Sequence, residues 1–350
     1  MKKLLTLILI LCLSASPALS EGASALLPAS GSADLTSLAE VSDEEAPALV
    51  EALRERPQVT QVNLTGVKLS TDAMQALLAA LPDTDFLWQV TIGKTQVDST
   101  VTQLDLDSLP KKMGYERTRD ALNCLPHLTR VTMFDYRFSI EEMETLIADH
   151  PEVKFDWTIL LDKYRIRTDC TAFSTMKGRQ EPRYTQDDLE VLKYCTDLLA
   201  LDLGHNNVTD LSFLSNWPHL KRLIVIDSKD GLSDISPLAQ LHDLEYVELF
   251  MQDITDLTPL ADKPYLLDLN LCFNNVTDLT PLYSDTALER LFISRNPSLS
   301  QEQLDALQAQ LPNCKINSTV DHSTGADWRV NKRYDVMHNS FIYRTYYPFE

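Results

Sequence analysis

The fold is decided by a pattern that is clearest at residues 266–282, LLDLNLCFNNVTDLTPL, and at residues 198–214, LLALDLGHNNVTDLSFL. Both stretches place leucines in an LxxLxL arrangement, follow them with asparagine and continue with Val-Thr-Asp-Leu. Alternate residues of a strand point to opposite sides, so the leucines of one stretch share a face. A single short strand cannot bury that face, but stacked copies bury it against one another. The pattern therefore predicts a solenoid of stacked coils.

The pattern recurs with a nearly constant step. Its copies start at Leu198, Leu220, Leu244, Leu266 and Leu288, which gives steps of 22, 24, 22 and 22 residues. A period of this length is typical of short repeats that each contribute one strand and one turn. We therefore expect five consecutive coils of one type in this part of the chain.

Recurring Asn, Asp and Pro residues between the strands have structural roles that the sequence predicts. Asparagines end three of the strands, and their amides can satisfy backbone groups of the neighbouring coil; they are Asn206, Asn274 and Asn296. Aspartates that precede the apolar turns can cap free N–H groups; they are Asp210, Asp234, Asp256 and Asp278. Prolines in the turns suit the first turn of a helix; they are Pro237, Pro259 and Pro281. Capping is favoured over calcium binding for the aspartates, because their spacing matches no calcium loop.

The N-terminal half carries a longer repeat. Residues 53–62 (LRERPQVTQV) recur as residues 122–131 (LNCLPHLTRV), an offset of 69 residues. Helical and strand-like patterns alternate within each copy, and the alternation from Phe86 to Ile92 predicts a strand. The array closes with a helical pattern at residues 299–312.

These linked motifs resemble those of the leucine-rich repeat family in its short bacterial, internalin-like form. The longer repeats of the N-terminal half are similar to helix-containing leucine-rich repeats of the ribonuclease-inhibitor type. The resemblance implies an α/β fold, a leucine-rich-repeat solenoid with a concave parallel sheet and with helices or short helical turns on the convex side. It also implies a secreted bacterial protein that binds a partner on the concave face.

The N-terminus has the features of a secretory signal. Lys2 and Lys3 precede an apolar run from Leu4 to Leu13, and small residues then fit a cleavage site after residue 20. No second long apolar run follows, so we expect no transmembrane segment in the mature chain. The predicted localisation is secreted or extracellular, with association with the cell envelope as an open alternative.

The predicted domain organisation has five parts. They are a signal peptide (1–20), a flexible linker rich in Ala, Ser and Gly (21–43), irregular helix-containing leucine-rich repeats (44–190), short 22-residue repeats with a helical last repeat (191–319) and a C-terminal cap (320–350). A cap is expected because the last coil would otherwise expose its apolar face. The aromatic residues of the final part leave a second reading open, a tail that binds a partner.

Composition excludes several functional classes. The 9 glycines never adopt the spacing of a phosphate-binding loop. The formal net charge of −20 argues against nucleic acid as a partner, because that binding needs a Lys/Arg surface. Five of the 6 cysteines lie in the predicted mature chain at wide spacing, and neither they nor the 7 histidines form a metal or nucleophile motif. We therefore expect buried free cysteines, no cofactor, no metal site and no enzymatic activity.

The candidate site is the strand face opposite the leucine row, which lines the concave sheet in this repeat type. The candidate partner-binding residues are Asp202, His205, Arg222, Ile224, Ile226, Asp227, Tyr246, Glu248, Phe250, Met251, Asp268, Asn270, Phe273, Arg290, Phe292 and Arg295. A strand face that meets only solvent should be polar. Seven of these residues instead form an apolar group, which we call the concave stripe: Ile224, Ile226, Tyr246, Phe250, Met251, Phe273 and Phe292. An apolar centre with a charged rim is typical of a protein interface, whereas packing within the sheet or coverage by the C-terminal tail is the alternative.

The sequence thus predicts a secreted, non-enzymatic binding protein that recognises a protein or peptide partner through its concave face. The charge of −22 left after removal of Lys2 and Lys3 favours a basic partner, or serves solubility. We expect a monomer. The alternative function is binding of a cell-envelope glycan or surface polymer, because Trp and Tyr rings also stack on sugars.

Overall fold

A computed structural model describes residues 26–175, 183–228, 230–320, 322, 324 and 328–350. The predicted signal peptide lies outside these residues. The chain divides into two compact units, Met1–Asp156 and Trp157–Glu350, so the division falls before the change of repeat type predicted at residue 191. Within the described residues, no helix combines the length and apolar character needed to cross a membrane.

The first unit alternates short strands with helices. Its strands are β1 (Gly31–Asp34), β2 (Glu40–Val41), β3 (Val59–Asn63), β4 (Lys68–Leu69), β5 (Asp85–Leu87), β6 (Gln89–Ile92), β7 (Thr95–Asp98), β8 (Gln103–Asp105), β9 (Arg130–Thr132) and β10 (Lys154–Asp156). Its helices are α1 (Ala46–Arg54), α2 (Thr71–Ala80), α3 (Tyr115–Leu122) and α4 (Ile140–Asp149). Strands β1, β3 and β5 form one parallel sheet and β8, β9 and β10 another, while β6 and β7 form an antiparallel hairpin.

Residues 31–41 contain strands where the sequence predicted part of a flexible linker over residues 21–43. Strand β1 pairs in parallel with β3, and β2 pairs in parallel with β4. Ala33, Leu35 and Val41 are buried. The alternation of apolar residues here is short and lies among small residues, so it gave too weak a strand pattern to recognise.

The second unit is built on one parallel sheet. Its strands are β11 (Thr158–Leu161), β12 (Tyr164–Arg167), β13 (Ala172–Ser174), β14 (Ala200–Asp202), β15 (Arg222–Ile224), β16 (Tyr246–Glu248), β17 (Asp268–Asn270), β18 (Arg290–Phe292) and β19 (Lys315–Asn317). Its α-helices are α5 (Gln186–Leu189), α6 (Gln301–Gln310) and α7 (Lys332–Tyr343), and its 3-10 helices are Glu190–Tyr194, Ser212–Asn216, Ser236–Gln240, Thr258–Leu260 and Thr280–Ser284. Strands β13 to β19 form a 7-stranded parallel sheet in sequence order.

The register of this sheet stacks the leucines predicted to form the core. The middle residues of successive strands pair with one another and are fully buried; they are Leu201, Leu223, Val247, Leu269 and Leu291. Burial of each such side chain contributes roughly 1.5–3 kcal/mol. Each strand is followed by a helix or helical turn that leads to the next strand. The fold is therefore an α/β leucine-rich-repeat solenoid with a parallel sheet, as predicted, and its last coil contains the predicted helix, α6.

Asparagine side chains join successive coils, as the sequence predicted. The Asn274 side-chain N–H donates to the carbonyls of Leu249 (2.8 Å) and Leu271 (3.1 Å). Its side-chain oxygen accepts from the Ile254 N–H at 3.1 Å. Asn296 bonds in the same way. Asn206 differs only in that its amide donates to the Thr175 hydroxyl of the preceding coil. A ladder of buried amides therefore satisfies the turning backbone.

Aspartates start the 3-10 turns, which also agrees with the prediction. Asp256 accepts from the Thr258 N–H at 2.8 Å. The three corresponding aspartates accept from the equivalent N–H groups at 2.7, 2.8 and 2.9 Å. Their carboxylates are thus used within the fold.

The 69-residue repeat corresponds to a repeated set of elements that ends in a hairpin. Helix, strand, helix and strand are followed by β6–β7 in the first copy and by β11–β12 in the second. The Trp88 N–H donates to Ser99 Oγ at 3.1 Å, and the Trp157 N–H donates to Thr168 Oγ1 at 2.9 Å. The single strand predicted from Phe86 to Ile92 is therefore two strands, because Trp88 bonds into the hairpin.

Candidate functional site

The structure brings the predicted concave-face residues together on one side of the 7-stranded sheet. In strands β15 to β18 the middle residue belongs to the leucine core, so the first and third residues point to the opposite side. These eight residues are buried: Arg222, Ile224, Tyr246, Glu248, Asp268, Asn270, Arg290 and Phe292. Asp202, at the end of β14, is half-buried.

The other predicted residues include a row in the left-handed backbone conformation. The φ angles are 60° at His205, 52° at Asp227, 59° at Met251, 57° at Phe273 and 62° at Arg295. Three of them precede the asparagines of the ladder. Asp227 and Met251 precede Ser228 and Gln252, which extend the ladder through a hydrogen bond between coils. A non-glycine residue in this conformation raises the free energy of the folded state by about 1 kcal/mol. The hydrogen bonds of the ladder therefore stabilise an otherwise unfavourable turn. We call these five residues the left-handed row, and all five retain some solvent exposure.

Five residues of the concave stripe are buried in one apolar cluster, and the partly buried Met251 and Phe273 pack against it. Trp328, Met337 and Phe341 belong to the same buried cluster, and Tyr346 and Phe349 pack against it. We call residues 328–350 the C-terminal segment. This segment covers the stripe, so the prediction of an open apolar binding face is wrong, and the alternative of coverage by the tail is the arrangement that the structure shows. The same contacts correct the predicted cap, because the segment packs on the concave face of the sheet.

Trp328 anchors the segment over the middle of the sheet. Its ring centroid lies 4.9 Å from that of Phe292 and 5.4 Å from that of Tyr246. Its indole N–H donates to Glu248 Oε1 at 3.0 Å. The Arg290 guanidinium carbon lies 4.6 Å from the Trp328 ring centroid. Aromatic packing and a cation–π contact therefore act at one fully buried side chain.

Arg222 holds the end of the segment. Its guanidinium donates to the Tyr347 carbonyl at 2.6 Å and to Ser340 Oγ at 3.3 Å. The guanidinium carbon lies 3.7 Å from the Phe349 ring centroid and 4.4 Å from that of Tyr346. Burial lowers the pKa of Arg222. A buried cation enclosed by aromatic rings and a carbonyl is the kind of contact found at the centre of protein interfaces.

Further polar contacts fix the direction of the segment. Arg333 pairs with Asp268 at 2.9 Å and also with Glu289. The Tyr346 hydroxyl donates to Glu245 at 2.8 Å. The Tyr346 N–H donates to Thr171 Oγ1 at 2.7 Å, which places the tail beside β13. The segment therefore runs across the sheet from the β18 side to the β13 side.

A pocket of about 280 Å³ remains open between the sheet and α7. We call it the concave-face pocket. The sheet side contributes Ser174, Asp202, Gly204, His205, Ile224, Ile226 and Glu248, and the C-terminal segment contributes Arg329, Tyr334, Met337, His338 and Phe341. The pocket therefore combines carboxyl groups, apolar walls and basic groups.

Two carboxyl groups line this pocket, those of Asp202 and Glu248. Asp202 accepts from the Gly204 N–H at 2.9 Å and from the Ser174 hydroxyl at 2.7 Å. Glu248 is 1% exposed and accepts from Trp328 and the Tyr246 hydroxyl through its Oε1 atom. Burial raises the pKa of both acids, because the charged forms lose their hydration.

The arrangement does not form a hydrolytic relay. The Ser174 hydroxyl donates to Asp202, whereas the His205 Nδ1 atom lies 3.0 Å from Asp227. A Ser–His relay needs the serine hydroxyl to donate to a histidine, whereas the Ser174 hydroxyl donates to the Asp202 carboxyl. No group of three or more His, Cys, Asp or Glu side chains that could hold a metal occurs in the part of the chain that the structure describes.

The five cysteines of the described chain are free and buried, as predicted; they are Cys124, Cys170, Cys195, Cys272 and Cys314. Burial raises the pKa of the Cys124 and Cys314 thiols to about 12. A thiol reacts as its thiolate, so these two behave as small apolar groups.

Five predicted residues line the pocket: Asp202, His205, Ile224, Ile226 and Glu248. Ser174, Gly204 and the residues of the C-terminal segment were missed. Ser174 lies before the first recognisable short repeat, so the period gave no sign of it. The segment did carry a signal, since its aromatic and basic residues follow the end of the repeats.

No protein-family model matches this chain, and no curated protein matches it. Solved structures with a similar fold include an internalin, InlF, from Listeria monocytogenes, with 17% identity and a TM-score of 0.37 over 83% of this chain and 85% of that chain. Internalin C2 from the same species has 19% identity and a TM-score of 0.31 over 61% and 80%. A leucine-rich-repeat protein from Leptospira interrogans has 17% identity and a TM-score of 0.34 over 76% and 74%. These similarities concern the repeat fold, and the site rests on this chain's own side chains.

Proposed function

We propose that this protein is a non-enzymatic binding protein whose concave face recognises a basic, aromatic peptide segment of a protein partner. One observation carries the proposal: the concave face already holds such a segment, residues 328–350 of the same chain. Trp328, Phe341 and Phe349 supply the aromatic groups, and Arg333 supplies a cation for Asp268. The partner then competes with the C-terminal segment for the same face.

Charge complementarity supports a basic partner. The C-terminal segment contains four Lys or Arg residues and two Asp or Glu residues, which gives a formal charge of +2. The rest of the full sequence, with Lys2 and Lys3 included, carries −22. The acids that meet the segment on the sheet side include Glu245, Glu248, Asp268 and Glu289. Opposite charges of this kind steer association and select partners.

Some buried polar atoms on the concave face lack hydrogen bonds to the residues that the structure describes, which supports displacement of the C-terminal segment by a partner peptide. Arg222 Nε, Glu248 Oε2 and Asp268 Oδ2 are buried without a hydrogen-bond partner among the described residues. A buried polar atom left without a partner costs roughly 1–3 kcal/mol. A competing peptide that supplies a donor or acceptor to these atoms gains binding energy that the C-terminal segment does not have.

Peptide exchange in the full chain tests the proposal. A protease site inserted between Thr324 and Trp328 allows the linkage to be cut after folding. A fluorescent synthetic peptide of residues 328–350 is then added, and its binding is followed by anisotropy. We expect saturable binding to the cut protein and at least about tenfold weaker binding to the uncut protein, because the tethered segment competes at about millimolar effective concentration.

The control peptide has the same composition in scrambled order, and it should not bind. Retention of a folded sheet by circular dichroism, together with no exchange of the peptide, would show that the segment is a fixed part of the core and would contradict the proposal. Loss of the folded sheet on cutting would contradict it as well.

The glycan alternative receives no support from the concave face in the described residues. A sugar-binding surface needs exposed aromatic rings, whereas Tyr246, Phe292 and Trp328 are fully buried. Secretion remains part of the proposal and rests on the N-terminal sequence. Mass spectrometry of protein from the native culture medium should find a chain that starts at Glu21, and an intact N-terminus inside cells would contradict it.

A further inference from the structure

The concave-face pocket lies beside the C-terminal segment and stays open while the segment covers the stripe. The inference drawn from it deepens the proposed function and rests on it in one respect, namely that the bound group belongs to the partner. The pocket volume of about 280 Å³ is enough for one long side chain. The chemistry of its walls identifies which side chain fits.

Glu248 offers an unused acceptor in this pocket. Its Oε1 atom accepts from Trp328 and Tyr246, whereas its Oε2 atom is buried and has no hydrogen-bond partner among the described residues. The side chain is 1% exposed. An acceptor in this position is unfavourable unless a donor reaches it.

Asp202 places a second carboxyl group in the same pocket. The Ser174 hydroxyl and the Gly204 N–H fix its orientation. Neither Asp202 nor Glu248 forms an ion pair with a described Lys, Arg or His side chain, although Arg329 lies close enough to favour the charged form of both. A buried acid and a half-buried acid without a bonded counter-charge suit a ligand cation that brings its own donors.

Apolar walls define the rest of the ligand. Ile224 and Ile226 line the sheet side of the pocket, which stays in place whether or not the C-terminal segment is displaced. A chain of methylene groups can pack there while its end reaches the acids. A lysine side chain has this form, with an apolar stem and a terminal group that donates three hydrogen bonds. We propose that the concave-face pocket binds a lysine side chain of the partner, with its ammonium group donating to Glu248 Oε2 and Asp202.

Binding of small amines to the uncut full chain tests this proposal. The probe is Nα-acetyl-lysine methylamide, and the matched neutral probe is Nα-acetyl-norleucine methylamide, which keeps the stem and lacks the ammonium group. Isothermal titration calorimetry should detect the lysine probe and not the norleucine probe. Glycinamide carries an ammonium group without the stem and should bind at least about tenfold more weakly than the lysine probe, because it buries no methylene groups.

Variants locate the binding. Glu248→Gln keeps the size of the side chain and should weaken the lysine probe about tenfold or more, since a hydrogen bond to a charged group is lost. Asp202→Asn tests the second acid in the same way and covers the case in which the Glu248 variant fails to fold. Asp253→Asn removes an exposed carboxylate outside the pocket and should leave binding within about twofold.

Equal binding of lysine and norleucine probes, equal or tighter binding of glycinamide, or unchanged binding in both pocket variants would overturn the lysine assignment. Absence of lysine-probe binding would overturn it too. These outcomes are separate from the peptide-exchange experiment, because the uncut chain keeps the C-terminal segment in place. Peptide exchange without lysine binding would leave the proposed function standing and remove only the pocket's role.

Discussion

At the level of single residues, hydrogen bonds from buried side-chain amides offset the conformational cost of left-handed backbone residues. The left-handed row turns the chain at the end of each strand, and the ladder residue that follows satisfies the turning backbone. The ladder was predictable, because an asparagine recurs at a fixed place in the repeat. The left-handed conformation was not, since Met251 and Phe273 give no sign of a position that usually favours Gly or Asn.

Asn274→Ala tests the ladder. The substitution removes four hydrogen bonds from a buried site and leaves the Leu249 carbonyl and the Ile254 N–H without these partners. The Leu271 carbonyl keeps its bond from the Asn296 amide. We expect the free energy of unfolding in urea to fall by about 2–4 kcal/mol. The neighbouring Asn275 is exposed, so Asn275→Ala should change it by less than about 0.5 kcal/mol. Equal effects of the two substitutions would contradict the ladder's role.

Asp285 gives a pH-dependent prediction. Burial raises the pKa of this acid from 3.8 to about 7 in the folded protein. A folded pKa above the unfolded pKa means that the folded state binds more protons, so this group adds stability as the pH falls from about 7 towards 4. Asp285→Asn should therefore change the free energy of unfolding more favourably at pH 8 than at pH 5. The difference between the two pH values should be about 1–2 kcal/mol after allowance for solvent screening.

Urea unfolding at the two pH values measures this difference. Asp278→Asn is the control, because a hydrogen bond from Thr280 lowers the pKa of Asp278, so it stays ionised across the same range. Its effect on stability should be the same at pH 5 and pH 8. A pH-independent effect of Asp285→Asn would show that the carboxyl is ionised throughout.

At the scale of elements, periodicity predicted the strands and turns of the short repeats but not the elements outside the period. The β6–β7 and β11–β12 hairpins were missed because each interrupts the strand pattern with its own turn, at Gly93 and Asp162. Helix α7 lies in the residues that were predicted to form a cap, and the sequence pattern did not predict a helix there. The concave stripe indicated that an apolar face of the sheet would be buried by something. The repeat period does not identify the part of the chain that buries it.

Trp328→Ala tests the contact between the C-terminal segment and the sheet. It removes a fully buried ring that packs on Phe292 and Tyr246 and donates to Glu248. The free energy of unfolding should fall by about 3–5 kcal/mol. Val330 is 86% exposed, so Val330→Ala should have an effect below about 0.5 kcal/mol. Similar small effects for both variants would mean that Trp328 does not anchor the segment.

At the scale of the whole molecule, the dominant feature is an acidic chain with a basic end. The sequence predicted a basic partner from the net charge, and the first basic peptide found on the concave face belongs to the chain itself. The contact joins residues more than 100 positions apart, such as Arg222 with Ser340 and Tyr347. A repeat period reports contacts between neighbouring coils, so contacts at this separation lay beyond its reach.

Ionic strength should therefore affect peptide binding to the cut protein. Attraction between the +2 segment and the −22 remainder is screened as salt is added. Raising NaCl from about 0.02 M to about 0.5 M should weaken binding of the labelled peptide about tenfold, mainly through a slower association rate. Salt-independent association, measured by stopped-flow anisotropy, would show that apolar burial alone drives the contact.

We expect the C-terminal segment to behave as a ligand of the concave face, and native-state hydrogen exchange of the intact chain measures this behaviour. The amides of α7 should exchange through an opening that leaves the sheet folded. Their free energy of opening should lie at least about 2 kcal/mol below that of the amides of β14 to β18, with a smaller dependence on denaturant. The same free energy and the same denaturant dependence for both sets of amides would contradict this expectation, because the segment would then leave the concave face only when the whole sheet unfolds.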